Sequence, residues 1–146
     1  MNPLTSGRLG FTLVEMAMAL AVAGLLSLMV QQRVSAIMQR SQVNRATAVV
    51  AADLESAFSM AARQRRPIRV SCCTSGTYTF ADRTGGTVRL QRSLVDYGIT
   101  TLSFAITPVD IFPSGVATSA DTVTIGTAGY TRRIVMTSAG LVRILP

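Results

Sequence analysis

Gly10-Phe11-Thr12-Leu13-Val14-Glu15 opens the stretch that decides the fold, and residues 11–30 carry it on as FTLVEMAMALAVAGLLSLMV. Sixteen of these twenty residues are apolar, and Glu15 is the only charge among them. At about 1.5 Å per helical residue, twenty residues span about 30 Å, the hydrocarbon thickness of a bilayer. This segment accounts for the apolar excess of the chain. Apolar residues make up 49% of all 146, but only 52 of the 116 residues after residue 30, an ordinary globular proportion. The length suits one globular domain behind the hydrophobic segment.

A cleaved secretory signal would have a 7–15-residue apolar core followed by a small-x-small site. Here the core is longer, and Gln31-Gln32-Arg33 follows it without such a site. A plain membrane anchor fits the length but gives no reason for Glu15, because a carboxylate at mid-helix costs about 2.5–3.5 kcal/mol on insertion scales.

The hexapeptide from Gly10 to Glu15, behind a short polar leader with Arg8, resembles the processing site of the type IV pilin superfamily. The resemblance implies that prepilin peptidase cuts between Gly10 and Phe11 and that Phe11 is N-methylated. It divides the chain into a leader (residues 1–10), a transmembrane and assembly helix (11–30), an amphipathic continuation (31–66) and a C-terminal domain (67–146). The physical role of Glu15 follows. Cleavage leaves an ammonium at Phe11 in low dielectric once helices bundle, and a buried cation needs a paired anion. Glu15 lies one turn away and can compensate its own terminus or that of a neighbouring subunit; the family assigns it the neighbour, which makes it a register device. Arg33, Arg40 and Arg45 follow the apolar run while only Arg8 precedes it. Basic-residue counting would therefore put the C-terminal side in the cytoplasm. The resemblance implies the reverse: an inner-membrane protein with its C-terminal domain in the periplasm. The rarer motif takes precedence.

From Phe11 to Arg66 there is no proline, and Gly24 is the only glycine. Val43, Ala46, Val50, Leu54, Ala57, Phe58 and Ala61 recur at three- and four-residue steps, one apolar stripe of a helix. Arg40, Asn44, Arg45, Asp53 and Glu55 lie off it. Pro67 disfavours helix at Arg66, and the arginines before it suit a helix C-terminus. Beyond Pro67 the composition changes, with 14 of the 17 threonines in residues 71–146. Strands are expected at 68–72, 77–80, 87–92, 99–106, 122–125, 132–137 and 141–145, with glycine turns between them, and residues 108–120 read as a loop. The expected fold is α+β: a long N-terminal helix packed on a C-terminal antiparallel β domain. From about residue 45 onward this order of elements resembles both the H-type pseudopilins of type II secretion and the FimT-type minor pilins.

The chain contains no His, so Ser-His-Asp and Cys-His catalysis, His-ligated metals and a His pH switch are excluded. No enzyme activity, cofactor or metal is expected. Cys72 and Cys73 read as one thiol facing the core and one facing out, because strand neighbours alternate. The basic side is entirely arginine, 14 against 7 acids. Arg63, Arg65, Arg66 and Arg69 form the densest cluster, which reads as a solvated or ion-paired helix end, or as a polyanion-binding patch. A three-residue connection at 138–140 would set Val135 opposite Arg143. Arg133 and Arg143 would then lie diagonally on one face, with Ile134, Met136, Val142 and Ile144 on the other. DNA-binding FimT-type minor pilins carry Gly-Arg-x-Arg at this turn. Here it reads Gly140-Leu141-Val142-Arg143, so only the second Arg matches, and Arg132, Arg133 and Arg143 complete the candidate DNA-binding set. The partners expected are prepilin peptidase, other pilin or pseudopilin subunits, the inner membrane and, in the alternative reading, DNA.

Overall fold

The computed structural model describes residues 12–145, without the side chains at 28–32. Gly10 and Phe11 fall outside that range. The chain divides into two compact units, Met1–Ala36 and Ile37–Pro146.

Helix α1 covers Leu13–Gln64. Thr12 caps its start: the Glu15 N–H donates to Thr12 Oγ1 at 3.2 Å, and the Met16 N–H to the Thr12 carbonyl at 3.2 Å. Thr12-x-x-Glu15 is thus a capping-box sequence, with Glu15 in the first turn where the dipole favours an anion. At the other end Arg65 takes a left-handed conformation (φ 52°). It turns the chain out of the helix just before Pro67, as the sequence predicts.

In the second unit the predicted stripe is the buried face of the helix. Val43, Ala46, Val50, Leu54, Ala57 and Ala61 are fully buried, and Phe58 packs at the margin. Thr47, also buried, satisfies its hydroxyl on the Val43 carbonyl at 2.6 Å. Eight strands follow: β1 Ile68–Thr74, β2 Thr77–Asp82, β3 Val88–Ser93, β4 Thr101–Phe104, β5 Val109–Ile111, β6 Asp121–Thr127, β7 Tyr130–Met136 and β8 Val142–Leu145. They form two four-stranded antiparallel sheets, ordered β3-β2-β1-β5 and β4-β6-β7-β8. One face of each sheet joins the helix in a common core: Ile68, Val70, Tyr78, Phe80 and Ile111 from the first, Val123, Ile125, Ile134 and Met136 from the second. The α+β arrangement is as expected.

Two turns show how local sequence sets register. Ser75 and Gly76 both have positive φ (53° and 71°), and Thr74 pairs with Thr77, the two-residue hairpin that favours a primed turn. At the β7–β8 turn, Gly140 has φ +83°, Val135 lies opposite Arg143 and Met136 opposite Val142. This is the predicted register.

Three expectations need correction. Residues 108–120 contain β5, which pairs antiparallel with β1. Three residues are too few to show a period, and Pro108 and Pro113 flank them like a loop. The strand expected at 99–106 is ordered as a strand only over Thr101–Phe104. Cys72 and Cys73 do not point to opposite sides; they are joined to each other as a disulfide.

Asp53 ties the helix to the first sheet. It accepts the Tyr78 hydroxyl at 2.5 Å and the Arg92 guanidinium at 2.6 and 3.2 Å, and only 13% of its side chain is exposed. Removing the carboxylate leaves a buried hydroxyl and a guanidinium unpaired, each a costly loss. Asp53→Ala is expected to lower unfolding stability by about 2–3 kcal/mol, read by urea denaturation, while Glu55→Ala on the exposed face changes it by less than about 0.5 kcal/mol. Equal effects would show that the clasp contributes nothing.

Candidate assembly helix and arginine surfaces

Around Glu15 the helix surface is apolar and open. Leu13, Val14, Met16, Met18, Leu20, Val22, Leu25 and Leu26 are each more than half exposed in the single chain. So much apolar surface marks a face made for lipid or for other helices. Among the described residues the Glu15 carboxylate has no cationic partner. Its backbone N–H is satisfied by Thr12, so the residue both starts the helix and presents its charge outward. Among the described residues no helix is long and apolar enough to cross a membrane, and the apolar run at 11–30 reaches past the described side chains.

The predicted arginine cluster at the helix end separates into two kinds. Arg63, Arg65 and Arg66 are exposed, and Arg63 sits in the last turn of α1. Arg69 is on β1, opposite Asp110 of β5, and grips it with two bonds, Nε to Oδ1 at 2.7 Å and Nη2 to Oδ2 at 3.0 Å. Arg83 adds a third contact to Asp110 at 3.2 Å. A parallel pair joins Arg89 to Asp82 at 3.1 and 2.6 Å. Hydrogen bonding from Arg69 holds the Asp110 carboxyl below its ordinary range, and Arg89 does the same for Asp82, with a contribution from the charge of Arg66. The Tyr78 phenol is pushed well above its ordinary value, first by burial and then by Asp53.

At the other predicted cluster the register brings Arg133 and Arg143 together and sends Arg132 elsewhere. Arg133 and Arg143 are both exposed, with Ile134 and Met136 buried on the opposite face. Arg132, one residue from Arg133, points to the helix side, where its Nε donates to the Tyr130 hydroxyl at 3.1 Å. Outside both sets, a shallow polar depression of about 300 Å³ on the first sheet is lined by Ser71, Cys72, Thr74, Thr77, Thr79 and Gln91. It carries neither charge nor aromatic ring.

The Asp53 clasp, the Asp82 and Asp110 pairs and the Thr12 cap lie beyond the sequence expectations. Only the cap has a sequence signature, the Thr-x-x-Glu spacing. The ion pairs join residues up to 41 positions apart, and no local pattern carries them.

A family model described as type II transport protein GspH matches residues 46–140, a span running from Ala46 on the buried face of α1 through strands β1 to β7. The chain belongs to the GspH family. With it comes membership of the type IV pilin superfamily and a minor pilin or pseudopilin role. Among solved structures, the fold is similar to that of the minor pseudopilin EpsH from the type 2 secretion system of Vibrio cholerae. That match has a TM-score of 0.58 and 17% identity, and covers 71% of this chain and 96% of EpsH. It is also similar to the type IV minor pilin FimU of Pseudomonas aeruginosa, with a TM-score of 0.59 and 18% identity, covering 75% of this chain and 92% of FimU. A second crystal form of FimU gives 0.55. No curated protein sequence matches.

The shifts at Asp82 and Asp110 set a pH dependence. A carboxyl held low in the folded state adds stability that is fully present above its unfolded value, near 3.8, and is lost as pH falls through the folded value. The melting temperature is expected to fall between about pH 5 and pH 2. In Asp110→Asn part of that fall should disappear while the neutral-pH value drops. An identical pH profile in the variant would rule the pair out as a contributor.

Proposed function

We propose that this GspH-family chain is a non-enzymatic filament subunit. In this reading prepilin peptidase cuts it after Gly10, residues 11–30 anchor it once across the bacterial inner membrane, and its second unit, Ile37–Pro146 (the β unit), stands in the periplasm. It then joins a type II secretion pseudopilus or a type IV pilus through the same helix. The observation that carries this is the set of eight exposed apolar side chains around a carboxylate with no cation beside it among the described residues, in a chain whose family is shown by its other half. Lipid covers such a surface before assembly, and neighbouring helices cover it afterwards. A carboxylate on that surface is costly in either place unless it meets a cation. The Phe11 ammonium of an adjacent subunit is such a cation, and pairing with it is favourable at only one axial stagger.

A second reading, DNA binding for natural transformation, is favoured by one observation. The register places Arg133 and Arg143 together on an exposed sheet face. Arg63, Arg65 and Arg66 add further exposed cations without an ion-pair partner among the described residues. Phosphate contacts of this kind are salt-dependent and indifferent to sequence.

Mass spectrometry of the mature chain is expected to find Phe11, methylated, at the N-terminus; any other start overturns the processing assignment. Glu15→Ala should insert in the membrane as before yet be depleted from sheared filaments by tenfold or more, about 1.4 kcal/mol of lost pairing. Normal incorporation would remove Glu15 from the mechanism. For the second reading, the detergent-solubilised chain should retain duplex DNA at low salt, and Arg133→Ala/Arg143→Ala should lower the salt slope by about 2. No retention at low salt discards DNA.

A further inference from the structure

Arg40, on the helix, lies over the ring of Tyr130 at the start of β7, with its guanidinium carbon 5.7 Å from the ring centroid. Arg132 holds the hydroxyl of the same ring at 3.1 Å. Two guanidiniums from positions far apart in sequence thus converge on one phenol. The surrounding surface is at the same level of the helix. A Cβ at Gly129, in the β6–β7 turn, would lie 2.9 Å from Gln39 Oε1, and one at Gly98 would lie 3.2 Å from Gln42 Oε1. Gly98 closes the short 3-10 helix Val95–Tyr97, so the end of that element also meets the helix at this level. Tyr130 is thus the aromatic ring that both arginines share.

The charge around them is one-sided. Neither Arg40 nor Arg132 has an ion-pair partner among the described residues. No acidic residue occurs between Glu15 and Asp53, a stretch that carries Arg33, Arg40 and Arg45. Asp96, exposed on the 3-10 helix, is the acid of that element. Chain length bounds how far such a surface can lie from the apolar run: Arg40 comes ten positions after Val30, the last residue of that run, a reach of at most about 35 Å. Tyrosine with arginine is the chemistry of a membrane interface, where the ring sits at headgroup level and the guanidinium meets phosphate.

We propose that Arg40, Tyr130 and Arg132 form a headgroup-binding surface for anionic phospholipid, which seats the membrane-facing end of the β unit on the leaflet before the subunit is drawn into a filament. Tyr130 orients the two guanidiniums, and their remaining N–H groups take phosphate oxygens. This rests on the reading of residues 11–30 as a membrane span. It gives Arg40 a role in binding lipid rather than in directing topology.

The test uses the full chain in vesicles of phosphatidylcholine alone and of phosphatidylcholine with phosphatidylglycerol, first by flotation and then by hydrogen exchange at the β6–β7 turn and residues 95–98. Flotation with both is expected. Exchange should be slower with phosphatidylglycerol and lose that protection by about fivefold for each arginine removed in Arg40→Gln and Arg132→Gln. Protection should return in Arg40→Lys, which keeps the charge, and fall at high salt. Flotation with unchanged exchange in the two lipids overturns the headgroup surface alone. Failure to float with either overturns the membrane span and this proposal with it. Protection that survives both Gln substitutions assigns it to something other than these arginines and also overturns the proposal.

Discussion

The closeness of helix and sheets in the β unit depends on the small side chains along one face of α1. Ala46, Ala51, Ala57 and Ala61 are buried there, and an alanine face lets a sheet approach the helix more closely than a leucine face would. The bulk of the core comes from the other side: Tyr78 and Phe80 from the first sheet, Ile134 and Met136 from the second. Large residues on the strands fill the space left by small ones on the helix, which is how interiors reach their density. The same closeness brings the carboxylate of Asp53 within reach of Tyr78 and Arg92, and lets Phe58 lie against the tight turn at Gly140.

A second constraint is electrostatic. Asp53, Asp82 and Asp110 each hold at least one arginine, and Asp110 holds two. Their partners, Arg69, Arg83, Arg89 and Arg92, all lie on the first sheet or in the turn after β2. The cations of the second sheet and of the helix have no such partners among the described residues. The net charge of +7 is therefore an average over two different surfaces, one neutralised within the fold and one left open to polyanions, lipids or other subunits.

Periodicity makes the helix legible, because seven apolar residues repeating at three- and four-residue steps over about five turns match a helix and fit neither the two-residue period of a strand nor a loop. Strand alternation and glycine spacing likewise expose the hairpins, down to Val135 opposite Arg143. The illegible parts are those whose controlling interaction is non-local or too short. The three residues of β5 acquire strand character only from pairing with β1. Arg69 looks like one member of a local basic run, but its partner lies 41 residues away. Arg132 and Arg133 are neighbours in sequence and look like one cluster, although strand alternation alone puts them on opposite faces. Cys72 and Cys73 fail in the opposite sense, since there a covalent link overrides the alternation. Thr12 is readable by its spacing from Glu15, but the cost of that glutamate in a membrane is the louder signal.

The last of these cases changes how Glu15 is understood. At the third helical position it stabilises the first turn of α1 through its backbone N–H, which Thr12 Oγ1 accepts, the backbone half of a capping box. Among the described residues its carboxylate has no cationic partner. One residue can thus fix where the helix begins and still carry a charge to a neighbouring subunit, because the two tasks use different atoms. An exposed helix start that needed the carboxylate for its own capping would have to release it before docking. Here the hydroxyl of Thr12 takes that N–H, so the charge is available from the moment the helix forms.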